Sequence, residues 1–228
     1  MIRNPWRFSY GFIVALGSTM GAVAAPADIG KVNGSIDVGA GQSAGNVSTV
    51  NGAIQVGDQA TAAEVNTVNG SVTLGAGAAA QSLSTVNGSI SVGAGGHIAG
   101  SITAVNGAIQ LARSSQVGGA LTNVNGRIQL EASEVKGGIE TVTGDIDIGA
   151  RSRVEGGIWV HKSQGSRFWD WLFPSPRRPS RVVIGPDAVV QGTLRFEHEV
   201  KLYVSNRARI GPVQGAQAIL YSGDQPPG

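Results

Sequence analysis

The chain has 228 residues, 35 glycines, no cysteine and only 5% aromatic residues. Disulfide stapling is therefore excluded, and the glycine-rich, aromatic-poor balance argues against a conventional globular core and for a fold with many tight corners. Of the 17 Lys+Arg, Arg3 and Arg7 lie in a segment expected to be removed, which leaves 15 against 15 Asp+Glu; a neutral chain has no electrostatic case for a nucleic-acid partner.

The N-terminus reads as a secretory signal over residues 1–24. Arg3 and Arg7 supply the positive segment, Phe8 to Leu16 is mostly apolar, and Ala22-Val23-Ala24 gives the small-x-small cleavage pattern. Gly11, Gly17 and Gly21 break the apolar run, which is short for a bilayer span. The expected destination is the periplasm or the medium.

From residue 25 a repeat takes over. Val-Asn-Gly begins at Val32, Val50, Val68, Val86, Val105 and Val124, and Val142-Thr143-Gly144 is a seventh copy. The steps are 18, 18, 18, 19, 19 and 18 residues, and self-similarity at a fixed period marks a repeat array. Each unit carries the pattern of Ile36-Asp37-Val38, whose two apolar residues share one face of a strand. About 18 residues at ~3.3 Å each is too short for a strand plus a proper helix, but it fits a coil of short strands. The prediction is an all-β, single-stranded parallel β-helix (a β-solenoid) of about nine turns over residues 25–212.

Four apolar columns fix the register. One runs Ile36, Ile54, Val72, Ile90, Ile109, Ile128, Ile146, and the next Val38, Val56, Leu74, Val92, Leu111, Leu130, Ile148. A third runs Ala44, Ala62, Ala80, Ile98, Val117, Val135, Val154, and a fourth Val47, Val65, Leu83, Ile102, Leu121, Ile139, Ile158. This alignment sets Arg127 beside Asp145, Glu134 beside Arg153 and Lys136 beside Glu155. Asn33, Asn51, Asn69, Asn87, Asn106 and Asn125 form a further column, expected to be a structural ladder of stacked amides at corners where Asn-Gly supplies positive φ.

The array is interrupted by an insertion, residues 162–180. Phe168, Trp169, Trp171, Leu172 and Phe173, with Arg177 and Arg178 nearby, make a candidate docking loop for a cell-envelope component or a membrane surface; covering a flank of the solenoid is the other reading. Val182, Ile184, Val190 and Leu194 then resume the pattern, Leu202, Val204 and Ile210 suggest one further turn, and residues 213–228 read as a flexible tail.

The run from Val182 to Leu194, with Ile184-Gly185, Ala188, Val190 and Gly192, resembles the bactofilins, polymer-forming bacterial β-helix proteins. Val135 to Ile139 and Val154 to Ile158 look like weaker copies, so the likeness covers about residues 130–212. The Val-Asn-Gly half is similar to the repeats of bacterial adhesin-type β-solenoids. The resemblance implies a right-handed helix and head-to-tail assembly. A signal sequence departs from the bactofilins, which are typically cytosolic. Spacing alone leaves the hand open, because Val38, Ala44, Val50 and Val56 are six apart and also fit a left-handed hexapeptide helix.

Chemistry finds little support. His97, His161 and His198 share no column, so neither a metal site nor a catalytic base with its partner can be assembled from spacing, and no cofactor is expected. Asp145 and Asp147 share a strand face, as paired carboxylates can, but Arg127 one turn before and Arg181 one turn after suggest an alternating ion column. The expected function is non-enzymatic: a structural, polymer-forming or scaffold protein of the bacterial envelope that associates with itself through the solenoid ends. An exported adhesin or a glycan- or protein-binding module is the second reading. Residues 26–112 hold only Asp28, Lys31, Asp37, Asp58 and Glu64 as charges, so the N-terminal turn is the expected associating end. The insertion and the tail are expected to cap the other.

Overall fold

The computed structural model describes residues 26–162 and 179–226. The signal segment, and Phe168, Trp169, Trp171, Leu172, Phe173, Arg177 and Arg178 of the insertion, lie outside the described residues.

Strands are short because corners interrupt each turn of 18 or 19 residues, and they are rich in Val, Ile and Leu because their inner positions stack directly on one another. The first sheet takes one strand from each turn, from Ile36–Val38, Ile54–Val56 and Val72–Leu74 through Ile128–Leu130 and Ile146–Ile148 to Ser180–Ile184, Val200–Ser205 and Ala218–Tyr221. It has ten strands among the described residues, all parallel. The rest of each turn builds a second, 16-stranded sheet. Thr61–Asn69 and Ala79–Asn87 are continuous strands there, whereas later turns split the same stretch in two, as in His97–Ile98 and Ile102–Asn106. The architecture is a parallel β-solenoid of ten turns, one more than the sequence suggested.

The extra turn comes from the C-terminal stretch expected to be a tail. Val213–Gln214 pairs with Leu194 and Arg195, and Ala218–Tyr221 pairs with Leu202 to Ser205. Gln and Gly around these residues disguised two strands whose apolar members, Val213, Ala218 and Leu220, continue the fourth, first and second columns. The insertion leaves no mark on the register: Ile146 stacks on Val182 and Ile148 on Ile184.

All four columns stack as the spacing predicted, and their members are buried apart from the partly covered Ala62. The charged neighbours follow. Glu134 faces Arg153, Val135 on Val154 keeps Lys136 level with Glu155, and Arg127 lies 3.9 Å from Asp145. Such exposed pairs contribute ~0.2–1 kcal/mol each, so apolar stacking holds the array.

The valine of each Val-Asn-Gly unit points outward. Val50, Val68, Val86 and Val124 are each about 40% exposed, and Val32 more so. The residue before it turns inward instead, giving a fifth inner column of Thr49, Thr67, Thr85, Ala104, Asn123, Thr141 and Val160. A buried hydroxyl needs a partner. Thr49, Thr67 and Thr85 donate to the carbonyls of Gly34, Gly52 and Gly70 at 3.2, 3.0 and 2.9 Å, and Asn123 Nδ2 donates to Gly107 at 3.0 Å.

The repeat glycine is required by close approach more than by positive φ. Gly34, Gly107 and Gly126 do have positive φ, of 108°, 156° and 147°. At Gly70, Gly88, Gly107 and Gly144, however, a Cβ would collide with the carbonyl oxygen of the repeat glycine one turn earlier. A side chain there would push adjacent turns apart.

Candidate functional site

Three features of the described surface could carry function: the asparagine corner, an aromatic and charged cluster where the insertion departs, and the two ends.

At the asparagine corner, Asn51, Asn69 and Asn87 each donate from Nδ2 to Oδ1 of the asparagine one turn earlier at 2.9 Å, and Asn106 does so at 3.1 Å. Asn125 is in register with Asn106, and Thr143 with Asn125. Thr143 Oγ1 donates to the Val124 carbonyl at 3.2 Å, so the threonine continues the column with a different bond. In this row Asn51, Asn69 and Asn87 each spend a donor and an acceptor on their neighbours, Asn33 only accepts and Asn106 only donates, and the exposed valines run beside it.

The second feature centres on Trp159, half-exposed on the outer face of the 16-stranded sheet between Glu140 and Arg195. His161, two residues on, stacks on its ring at 4.2 Å, and the Arg195 guanidinium lies 4.9 Å from the ring. The indole N–H donates to Glu197 Oε1 at 3.2 Å, and the backbone N–H of Lys162 to Glu197 Oε2 at 3.1 Å. His161 Nε2 is 3.5 Å from Glu140 Oε2. The Lys162 N–H bond, chiefly, holds the Glu197 carboxyl below its ordinary pKa, helped by Trp159, Arg195 and His161. The cluster fastens the chain where residue 162 leaves the solenoid. Nothing in the periodicity announced it, because Trp159, His161 and Glu197 stand at outward positions that the repeat leaves unspecified.

Of the sequence candidates, His161 alone among the histidines enters such a cluster. His97 sits level with Ala79 and Gln116, away from it. No group of three or more His, Cys, Asp or Glu that could hold a metal exists among the described residues. Asp145 bonds Arg181 through the backbone N–H, at 2.9 Å, and the Arg181 guanidinium lies instead over the Tyr203 ring at 5.3 Å. The ion column therefore reaches only from Arg127 to Asp145.

Asp147 lines a groove of about 310 Å³ with Arg181, Tyr221, Asp224 and Pro226. Burial, mainly, raises its pKa, with Glu131 adding to this and Arg127 and Arg181 opposing it. A raised folded-state pKa means that the fold holds the proton more tightly than the unfolded chain does. That stabilisation is complete below the ordinary aspartate pKa and is lost as pH rises through the raised value. Asp147→Asn, permanently neutral, should therefore melt at a higher temperature than the parent at pH 7. Its advantage should disappear below about pH 4. Equal melting temperatures at pH 7 would show that burial does not dominate at this carboxyl.

The two ends differ. At the N-terminal end Ile36 and Val38 are buried. At the C-terminal end Leu220, which continues the column of Val38 and Val204, is 71% exposed, and Ile219 is 45% exposed. Tyr221 reaches back to the Ile184 carbonyl at 3.2 Å, and residues 224–226 line the groove beside Asp147 and Ala150. They run along the side of earlier turns and do not cross the end. The tail therefore does not cap the C-terminal end as expected, because it turns back and leaves the last apolar rung uncovered.

No protein-family model, curated protein or solved structure matches the chain.

Proposed function

We propose that the chain is an exported, non-enzymatic scaffold or polymer-forming protein of the bacterial cell envelope, similar in kind to the bactofilins, which associates with itself through the ends of its solenoid. The supporting observation is the C-terminal rung. Leu220 belongs to a column whose other members are buried, yet it is largely exposed, and among the described residues the strand Ala218–Tyr221 pairs only with Val200–Ser205. An open strand edge with an apolar inner face is a template for another chain. The signal-like residues 1–24 support export to the periplasm or the medium, and the aromatic and basic residues of 162–180 suit contact with an envelope component or membrane surface. Fractionation, sedimentation and electron microscopy of the exported protein test the reading together: assemblies elongated along the solenoid axis are expected from the envelope fraction. A protein that stays in the cytosol, or a monomer at all concentrations, would reject it.

A second reading, an adhesin or glycan- or protein-binding module, is favoured by the exposed valine row beside the asparagine ladder. It predicts a monomer that binds peptidoglycan or a protein partner.

A further inference from the structure

Six dipeptides of this chain share one chemistry and differ in their surroundings. Asn-Gly occurs at Asn33, Asn51, Asn69, Asn87, Asn106 and Asn125 and nowhere else. Asparagine before glycine is prone to lose its amide, because glycine has no side chain to obstruct attack by its own backbone nitrogen on the asparagine Cγ. All six asparagines are exposed. All six glycine nitrogens are engaged alike, each N–H donating to a carbonyl one turn later at 2.8 to 3.1 Å. The side-chain amides are not alike. Asn51, Asn69 and Asn87 are held at both nitrogen and oxygen, Asn33 at its oxygen alone and Asn106 at its nitrogen alone. Asn125 stands level with Asn106, yet its amide has no hydrogen-bond partner among the described residues. The next member of the column, Thr143, turns its hydroxyl to the Val124 carbonyl and offers the Asn125 amide nothing.

We infer that Asn125 is a site of spontaneous covalent modification, the first of the six amides to be converted to an aspartyl or isoaspartyl residue, with water as the only co-reactant. The Gly126 nitrogen gives its proton to solvent and bonds to Asn125 Cγ. The Cγ–Nδ2 bond breaks, Nδ2 leaves as ammonia, and a five-membered imide remains. Water then adds to one of the two imide carbonyls and reopens the ring. Attack at Cγ restores the ordinary main chain, and attack at the backbone carbonyl routes it through the side chain as isoaspartate. One water enters and one ammonia leaves, with no electron transfer. In the ladder an amide must first let go of its neighbours before it can turn toward the following nitrogen, and each such bond slows the step on the order of 5-fold. An isoaspartyl link lengthens the main chain at a corner without slack, where even a Cβ on Gly144 would collide with the Gly126 carbonyl oxygen. Conversion at position 125 therefore loosens the stack between the turns tied by asparagine and the turns paired by charge.

Incubation of the folded protein at mildly alkaline pH, with peptide mapping by mass spectrometry at intervals, reads all six amides in one sample. Asn125 should convert fastest, Asn33 and Asn106 on the order of 5-fold more slowly, and Asn51, Asn69 and Asn87 on the order of 25-fold more slowly. In denaturant the six should convert at nearly equal rates. Asn51→Ser deprives Asn33 of its only amide bond, so it should raise the rate at Asn33 to that of Asn125 while leaving Asn106 unchanged. A fastest position other than Asn125, no conversion in the folded protein, or the same order in denaturant overturns the assignment. An unchanged rate at Asn33 in the Asn51→Ser protein overturns protection by the ladder, and the selection of Asn125 with it.

Discussion

Ile109→Asp should unfold at least the turns on either side of it, whereas Gln110→Asp, one residue away, should change stability by no more than about 0.5 kcal/mol. Ile109 is fully buried and stacks between Ile90 and Ile128. Replacing it removes an isoleucine's worth of packing, ~2–5 kcal/mol, and places a carboxylate where no cation can reach it, at a further cost of several kcal/mol. The total rivals the ~5–15 kcal/mol that holds a whole domain together. Because each turn of a solenoid contacts mainly its neighbours, the damage should be local first. Gln110 points outward between Ser91 and Gln129 and can carry a charge into water. Chemical denaturation with hydrogen exchange separates the two variants. Comparable losses at both positions would refute the inside–outside assignment.

Leu220→Asp should abolish self-association without lowering the melting temperature of the monomer. The side chain is already mostly exposed, so the fold loses little by its replacement. The proposed end association loses the burial of a leucine, about 2 kcal/mol, or ~30-fold in affinity, before the cost of burying a carboxylate is added. Leu220→Met, similar in volume and apolar, should keep association within a few-fold. Sedimentation velocity over a concentration series reads both variants. Unchanged assembly in Leu220→Asp would move the interface away from the C-terminal rung.

Most of the fold was legible because Ile and Val at two-residue spacing recur behind an invariant-looking Asn-Gly corner, and a periodic core leaves a periodic trace. What escaped notice has a common cause. Thr49, Thr67 and Thr85 are polar, so their column did not read as core, although each hydroxyl donates to the carbonyl of the corner glycine one turn earlier. Val50 and Val68 are apolar yet face out, and their residue type alone does not reveal it. The last turn was missed because Gln214, Gly215 and Gln217 dilute the pattern of Val213, Ala218 and Leu220. The Trp159 cluster, built from outward positions, had no periodic trace at all, and the open C-terminal rung depended on the path of residues 222–226, which composition does not encode.

The asparagine ladder has a bearing on how the chain reaches this state. Turns two to four are nearly interchangeable: each offers the same amide, the same glycine and the same 18-residue step. A growing solenoid can therefore add such a turn one whole repeat out of place and still make every amide bond, so slipped conformers compete with the native one at little energetic penalty. Charge-pair labels appear later, in Arg127 beside Asp145 and in Glu134 beside Arg153, together with the 19-residue steps after Val86. Productive folding should accordingly begin in the second half, where only one pairing satisfies the charges, and zip back toward Ile29 by templating each anonymous turn on one whose place is already decided.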